Sequence, residues 1–227
     1  IFIDRGKVIK YFNSSDKAKL RVDRAKYLNG NCPTISVVNE NMYCYDYIDG
    51  EMLSNITDES LMRKFLDDCQ TKLWEETHTN DSFLVDCKEM YETKTKERVK
   101  KLYGSQLDNI STINGLKVQP VEHMLNEINW IDFYDIAIPS YFHGDLQPEN
   151  VLYDKKNKKF VLIDWRQSFG SSKDVGDVYY DLGKIYHAIM INGQSVLKDM
   201  FNHKIIGNNA SVEFYAKSNL VYFMDIF

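Results

Sequence analysis

Short apolar runs separated by polar turns dominate the first fifty residues. Gly6 lies in the first polar turn, so the flanking runs predict a β-hairpin. Ser14 offers a helix-capping hydroxyl, and Asn29 with Gly30 supplies a stop signal for the helix between them. The pattern predicts strands over 1–3, 8–12, 34–38 and 42–48, with one helix over 18–28.

Beyond Gly50 the apolar positions recur at helical spacing. Gly104 and Gly115 fall in a polar stretch, which favours a loop over 103–120. The interpretation is a β-rich start followed by a mostly helical remainder. Helices are predicted over 61–74, 83–103 and 121–131.

The segment 140–164 departs from this helical pattern. A loop rich in polar residues lies between two short apolar runs, and the second run ends at Asp164. The basic stretch 155–159 separates two strand-like segments and is interpreted as a solvated hairpin turn. This hairpin should bring Asp164 back beside the loop.

Composition narrows the function classes. The net charge of -5 gives no reason to expect nucleic acid as a partner, since phosphate binding relies on clustered cations. The four cysteines form no C-x-x-C pair, so we expect free thiols and a cytoplasmic location rather than a zinc site. No apolar run approaches the roughly 20 residues of a membrane helix, so no membrane span is expected. Because the first residue is Ile1, we expect a piece of a longer protein, with fusion to another domain as one option.

Three oxygen-bearing side chains carry the candidate chemistry. Asp145 and Asn150 lie five positions apart in a loop that contains Gly144, so the chain can turn both toward one point. A carboxylate can take a proton from a hydroxyl, and an amide oxygen can bind a hard cation. With Asp164 they predict a sparse magnesium site suited to phosphoryl transfer, in which Asp145 is the base and Asn150 and Asp164 are metal ligands.

This segment resembles a known family. The stretch 143–150, His-Gly-Asp-Leu-Gln-Pro-Glu-Asn, followed by Ile-Asp-Trp at 163–165, is similar to the motifs of the aminoglycoside phosphotransferase and choline kinase-like enzymes. That resemblance implies an α+β, two-lobed protein-kinase-like fold with a small β-rich N-lobe and a larger, mostly helical C-lobe. It also implies ATP and Mg²⁺ as cofactors and a small hydroxylated acceptor. No A-P-E segment follows Asp164, which ranks a protein kinase lowest.

The resemblance assigns nucleotide contacts in the first fifty residues. Lys10 falls at the family's phosphate-binding lysine, and Asp23 is the candidate partner for it on the next helix, one methylene shorter than the family's glutamate. Backbone groups near Asp46 and Ile48 fall at the hinge that would bond adenine. A phosphate-covering loop, which the family has before this lysine, is not visible before residue 1.

The resemblance also assigns supporting residues. Asp181, in Gly-Asp-Val-Tyr-Tyr-Asp-Leu-Gly at 176–183, would brace the catalytic loop from below. His143 is expected to brace the loop as well, with proton transfer as the alternative. Gln147 is open between orienting the nucleophile, contacting substrate and capping the loop.

The predicted domains are an N-lobe over 1–50, truncated at its start and with a hinge near 45–50, and a C-lobe over 51–227. The C-lobe would carry the catalytic loop 143–150 and the metal-binding segment 160–166. The expected function is ATP- and Mg-dependent phosphorylation of a sugar, amino alcohol or aminoglycoside-like hydroxyl. The alternative is a catalytically silent nucleotide-binding module of a longer protein.

Overall fold

A four-stranded antiparallel sheet with one helix occupies the start of the chain in the computed structural model, which describes residues 1–77 and 82–226. The Ser14 hydroxyl accepts from the Lys17 amide at the helix start, and Asn29 ends the following 3-10 turn in a left-handed conformation with φ of 50°. The predicted β-β-α-β-β order is confirmed. Its elements are β1 (Phe2–Asp4), β2 (Lys7–Tyr11), α1 (Ser15–Arg24), β3 (Ser36–Asn39) and β4 (Met42–Asp46).

The strand order β1-β2-β4-β3 places β2 inside this sheet. Lys10 lies opposite Tyr43 on β4, and both side chains are buried. Because side chains alternate between the two faces of a strand, Lys10 shares the buried face of β2 with Val8.

Helices and very short strands follow up to the candidate loop. The helix predicted over 61–74 is confirmed as α2, and the one over 83–103 as two α-helices joined by a π-helical stretch, Glu89–Thr93. The elements are β5 (Glu51–Met52), α2 (Glu59–Lys72), α3 (Phe83–Lys88), α4 (Lys94–Lys100), β6 (Thr112–Ile113), β7 (Leu116–Lys117), α5 (Val121–Glu127), α6 (Trp130–Asp135) and β8 (Pro139–Ser140).

The candidate loop is enclosed by two small sheets. In one, β5 pairs with the hairpin strand that follows the loop; in the other, β8 pairs with the strand that leads into a long helix. The remaining elements are β9 (Val151–Asp154), β10 (Lys159–Leu162), β11 (Gly176–Asp177), α7 (Val178–Met190), α8 (Gly193–Leu197), β12 (Phe201–Ile206), β13 (Asn209–Phe214) and α9 (Ser218–Tyr222).

Two predictions beyond residue 100 need correction, and one hairpin there was not predicted. The stretch predicted as a loop contains the β6–β7 hairpin, and the β12–β13 hairpin was not predicted. These strands form one sheet because β13 pairs in parallel with β6, about a hundred positions away in the chain. The helix predicted over 121–131 is two helices, because Ile128 is extended with ψ of 122°.

The main core joins the candidate loop to helices on both sides. Leu146 and Trp165, both buried, pack in one cluster with Phe65 of α2 and Ile185 of α7. A loop anchored by buried apolar side chains can hold its polar residues in fixed positions.

The fold class is α+β, as predicted. The two-lobed, kinase-like arrangement and the division near residue 50 stay predictions. The predicted second domain, 51–227, also includes residues 78–81 and 227, which lie outside the described residues. None of the helices described has the length and apolar character required to cross a membrane.

Candidate active site

Asp181 holds the start of the candidate loop. Its carboxylate is fully buried at the first turns of α7 and accepts the backbone N–H groups of His143 at 2.7 Å and Gly144 at 2.6 Å. The Trp74 indole donates to the same carboxylate at 3.2 Å. Burial raises the pKa of Asp181 to about 6, and the two backbone donors oppose this rise. The geometry is that of a brace beneath the loop.

The His143 ring ties the loop to the strand end that carries Asp164. Its Nε2 lies 2.9 Å from the Ile163 carbonyl oxygen, so Nε2 carries the hydrogen and donates. Its Nδ1 then accepts the Asp145 backbone N–H at 3.2 Å. Burial lowers the pKa of His143 to about 3, which keeps the ring neutral. A neutral, fully bonded ring fits the bracing role and not the proton-transfer alternative.

Gly144 is required by the turn itself. Its φ of +84° is left-handed, and a Cβ there would lie 2.6 Å from the Arg166 Cβ and 2.9 Å from the Phe142 ring. The loop therefore passes too close to the neighbouring segment for any side chain at this position.

Arg24 of α1 fastens the first sheet and helix to this loop. Its guanidinium is fully buried, donates to the carbonyl oxygens of Phe142 and of Arg166, and lies 3.8 Å from the Phe142 ring centroid. Desolvation lowers the pKa of Arg24 to about 10, while Asp181 opposes that effect. Sequence reasoning missed this residue. The available signal was that Arg24 follows Arg21 by about one helical turn, in the last turn of α1.

Asp145 and Asn150 are brought together by the loop. The Asn150 Nδ2 donates to the Asp145 carbonyl oxygen at 2.8 Å, so its amide oxygen is turned away from that bond. The side chain of Asp145 remains 40% exposed and therefore accessible to a substrate. Gln147 contributes its backbone here, accepting the Asn150 N–H at 2.8 Å and donating to the Asp145 carbonyl at 2.8 Å. This backbone role fits the capping alternative for Gln147.

Asp164 lies beside this pair, as the hairpin predicted. The Ile163 N–H donates to the Asn150 carbonyl oxygen at 2.9 Å, which joins the two segments directly before Asp164. Asp164 adopts a left-handed backbone with φ of 62° and pairs with the Lys10 ammonium, 154 positions away. Desolvation lowers the pKa of Lys10, and the Asp164 carboxylate opposes that shift.

The predicted partnership between Lys10 and Asp23 does not form. Lys10 pairs with Asp164, whereas Asp23 lines a separate cavity of about 410 Å³ between α1 and the β3–β4 turn, beside Lys19 and Asn39. Successive residues of a helix point about 100° apart, so α1 cannot turn both Arg24 and Asp23 inward. Arg24 takes the inward position that the prediction gave to Asp23.

The predicted hinge residues lie at the end of β4. The Asp46 side chain is exposed and pairs with Lys7 at 2.5 Å. The Tyr47 N–H donates to the Gly6 carbonyl, and the Ile48 carbonyl accepts from Gly50. Within the described chain, no backbone carbonyl accepts the Ile48 N–H, which leaves this donor for a ligand.

The residues present fit a magnesium ion. The described residues hold no group of three or more His, Cys, Asp or Glu side chains suited to a metal, so a tight all-protein cage is not offered. Mg²⁺ is typically bound by one or two protein oxygens together with waters and substrate phosphates. The Asn150 amide oxygen, fixed by the bond of its own Nδ2, and the second carboxylate oxygen of Asp164 supply such a pair.

Two basic residues border the loop that carries Asp145. Sequence reasoning gave no role to Lys184, whereas it left Arg166, which follows Asp164, open between facing the acceptor pocket and a purely structural role. The Lys184 ammonium is 3.1 Å from the Asp145 carboxylate, and Arg166 donates to the Tyr180 hydroxyl at 2.9 Å. Lys184 lies three positions after Asp181 on α7, so helical spacing places both on one face toward the loop. That spacing was the missed signal.

A cavity with mostly apolar walls lies elsewhere in the described part of the molecule. It measures about 380 Å³ and lies between α4, α5 and the β6–β7 and β12–β13 strands. Val99, Met124 and Ile205 contribute to its wall, and none of the predicted site residues does. This cavity is therefore separate from the candidate site at the loop 143–150.

No family model matches the sequence, and no curated protein matches it. A function for this chain must therefore be argued from the geometry of the loop 143–150 and its neighbours.

Proposed function

We propose that the protein is an ATP- and Mg-dependent phosphotransferase that acts on a hydroxyl of a small molecule. The observation that carries the proposal is the linkage of four candidate residues from three separate segments of the chain. Lys10 pairs with Asp164, and the backbone before Asp164 bonds to Asn150, whose amide bonds to Asp145. The topology is compatible with the two-lobed kinase-like fold, in which the first sheet and α1 cover a cleft above this loop.

Each residue has a role that its surroundings support. Lys10 is a buried cation on β2 of the first sheet. It would bind ATP phosphates, which would free the Asp164 carboxylate to bind the metal. Asn150 and Asp164 would hold Mg²⁺, which neutralises phosphate charge when bound. The Ile48 N–H is available to adenine at the hinge.

Asp145 would act as the base. Its carboxylate accepts the proton of the acceptor hydroxyl while the acceptor oxygen bonds to the γ-phosphorus and the bond from that phosphorus to the ADP oxygen breaks. His143, neutral and bonded at both ring nitrogens, holds the Asp145 backbone in place. With four free cysteines, the proposal places this reaction in the cytoplasm.

The test is transfer of labelled γ-phosphate from Mg·ATP to a panel of sugars, amino alcohols and aminoglycosides. Asp145→Asn and Asp164→Asn should each lower turnover about a hundredfold or more, since positioned proton transfer and metal binding each contribute on that scale. Asp135→Asn, at an exposed acid of α6, is the matched control and should leave turnover unchanged. Undiminished turnover in either site variant would refute the proposal, and Mg·ATP binding without transfer would leave a nucleotide-binding module.

A further inference from the structure

A lysine ammonium lies directly beside the Asp145 carboxylate. Lys184 pairs with the Asp145 carboxylate at 3.1 Å and keeps about a quarter of its side chain exposed. A group that lies this close to the base also lies close to any hydroxyl that the base deprotonates. The acceptor must therefore bind within reach of a lysine ammonium.

Arg166 carries a second positive charge beside the same loop. The Cζ atom of its guanidinium lies 6.0 Å from the Tyr180 ring centroid, and the Lys184 Nζ lies 5.8 Å from the same centroid. The Arg166 backbone bonds to His143 at 3.0 Å, and its Cβ lies directly against Gly144. Tyr180 therefore lies beside both cations, and both border the loop that carries Asp145.

The Arg166 charge is not neutralised within the described chain. Arg166 takes part in none of the ion pairs among those residues, and its one side-chain hydrogen bond goes to the uncharged Tyr180 hydroxyl. The Asp174 carboxylate is engaged elsewhere, since it accepts from Ser172 and from the Val175 backbone, both at 3.1 Å. A half-buried guanidinium without a carboxylate partner is a binding group for carboxylate or phosphate.

We infer that the acceptor is an anionic small molecule, such as a sugar phosphate or a sugar acid, whose negative group binds Arg166 while its hydroxyl faces Asp145. This inference rests on the proposed phosphotransferase function. Cationic acceptors such as aminoglycosides or amino alcohols would meet Lys184 and Arg166 and be repelled. Arg166 is then a specificity-determining residue for the reaction.

The first experiment isolates the nucleotide step. Titration calorimetry with Mg²⁺ and a non-hydrolysable ATP analogue should detect binding, and Lys10→Met should weaken it. Absence of nucleotide binding would refute the proposed function and this inference with it. Nucleotide binding with the wrong acceptor preference would refute the inference alone.

The second experiment compares acceptors that differ in one group: a hexose, the matching hexuronate, the hexose 6-phosphate and the 6-amino hexose. We expect the highest kcat/KM with one of the two anionic members, and their comparison distinguishes carboxylate from phosphate. Preference for the neutral or amino hexose, equal rates across the series, or no transfer to either anion by the nucleotide-binding protein would overturn the inference.

The third experiment tests Arg166 itself. A charge-assisted hydrogen bond corresponds to about tenfold or more in affinity, so Arg166→Gln should raise the KM for the anionic acceptor by about tenfold. The KM for ATP and the KM for the uncharged hexose should not change, and Arg166→Lys should restore part of the loss. Arg98→Gln, at an exposed arginine of α4, removes the same charge elsewhere and should have no effect. Equal losses for charged and uncharged acceptors would mean that Arg166 acts only through its bond to Tyr180, and would overturn the inference.

Discussion

Replacing Asp181 with asparagine would test how the loop 143–150 is held in place. The carboxylate accepts three N–H donors, from His143, Gly144 and the Trp74 indole, at 2.6 to 3.2 Å. Asparagine has nearly the same shape but only one accepting oxygen. Its amide nitrogen has no lone pair to offer, so at least one buried backbone N–H would face another N–H group.

The magnitude follows from these contacts. A buried donor left without an acceptor costs about 1–3 kcal/mol, and the surviving bonds weaken by roughly half because they lose the charge. Removing a buried carboxylate offsets part of this loss, because burial already raises the pKa of Asp181 to about 6. We expect a net decrease of about 3 kcal/mol in the free energy of unfolding, out of a typical total of roughly 5–15 kcal/mol.

Urea unfolding at pH 7.5, followed by circular dichroism, measures this change. With a urea dependence of about 3 kcal/mol per molar, the midpoint of Asp181→Asn should fall by about 1 M. Asp135→Asn, which also exchanges a carboxylate for an amide but at an exposed position, should stay within about 0.2 M of the unmodified protein. A midpoint for Asp181→Asn as high as that of the control would refute the bracing argument.

Three further predictions concern the same network. Lys10→Met should weaken Mg·ATP binding about tenfold or more while the fold is kept, because the buried ammonium is the proposed phosphate ligand. Calorimetry measures the affinity, with the exposed Lys204→Met as the control. Equal affinities of the two variants would mean that Lys10 does not bind the nucleotide. Gly144→Ala should destabilise the protein by about 2 kcal/mol or more in thermal unfolding, because residue 144 has a φ of +84° and the new Cβ would clash with Arg166. Gly183→Ala on α7 is the control: its new Cβ meets nothing within 4 Å and should not lower stability. His143→Gln should flatten the pH dependence of stability. Burial lowers the pKa of His143 to about 3, so below the unfolded value near 6.5 only the unfolded state takes up this proton. The unmodified protein should therefore lose about 1.4 kcal/mol of stability per pH unit as the pH falls toward 3. Parallel pH profiles of the two proteins between pH 4 and 6 would contradict that assignment.

The first sheet and its helix were predictable because their signals are local. A capping Ser14, a stop at Asn29 and alternating apolar runs each act within a few residues, and the observed elements follow them. The β12–β13 hairpin and its pairing with β6 were not predictable, because strands of two to six residues carry a weak pattern. Their partner lies about a hundred positions away.

The candidate site divides in the same way. The sequence by itself determined the residue types and order of Asp145, Asn150 and Asp164, and the hairpin that returns Asp164 to the loop follows from local spacing.

Only the tertiary structure decided which charges meet. Lys10 pairs with Asp164 rather than with Asp23, and Lys184 pairs with Asp145. The physical reason is that an ion pair depends on distance in space, burial and the facing of each helix, and the packing of α1 and α7 against the loop sets all three. The inward position of Arg24 is a consequence of that packing, and it leaves Asp23 off the face of α1 that contacts the loop.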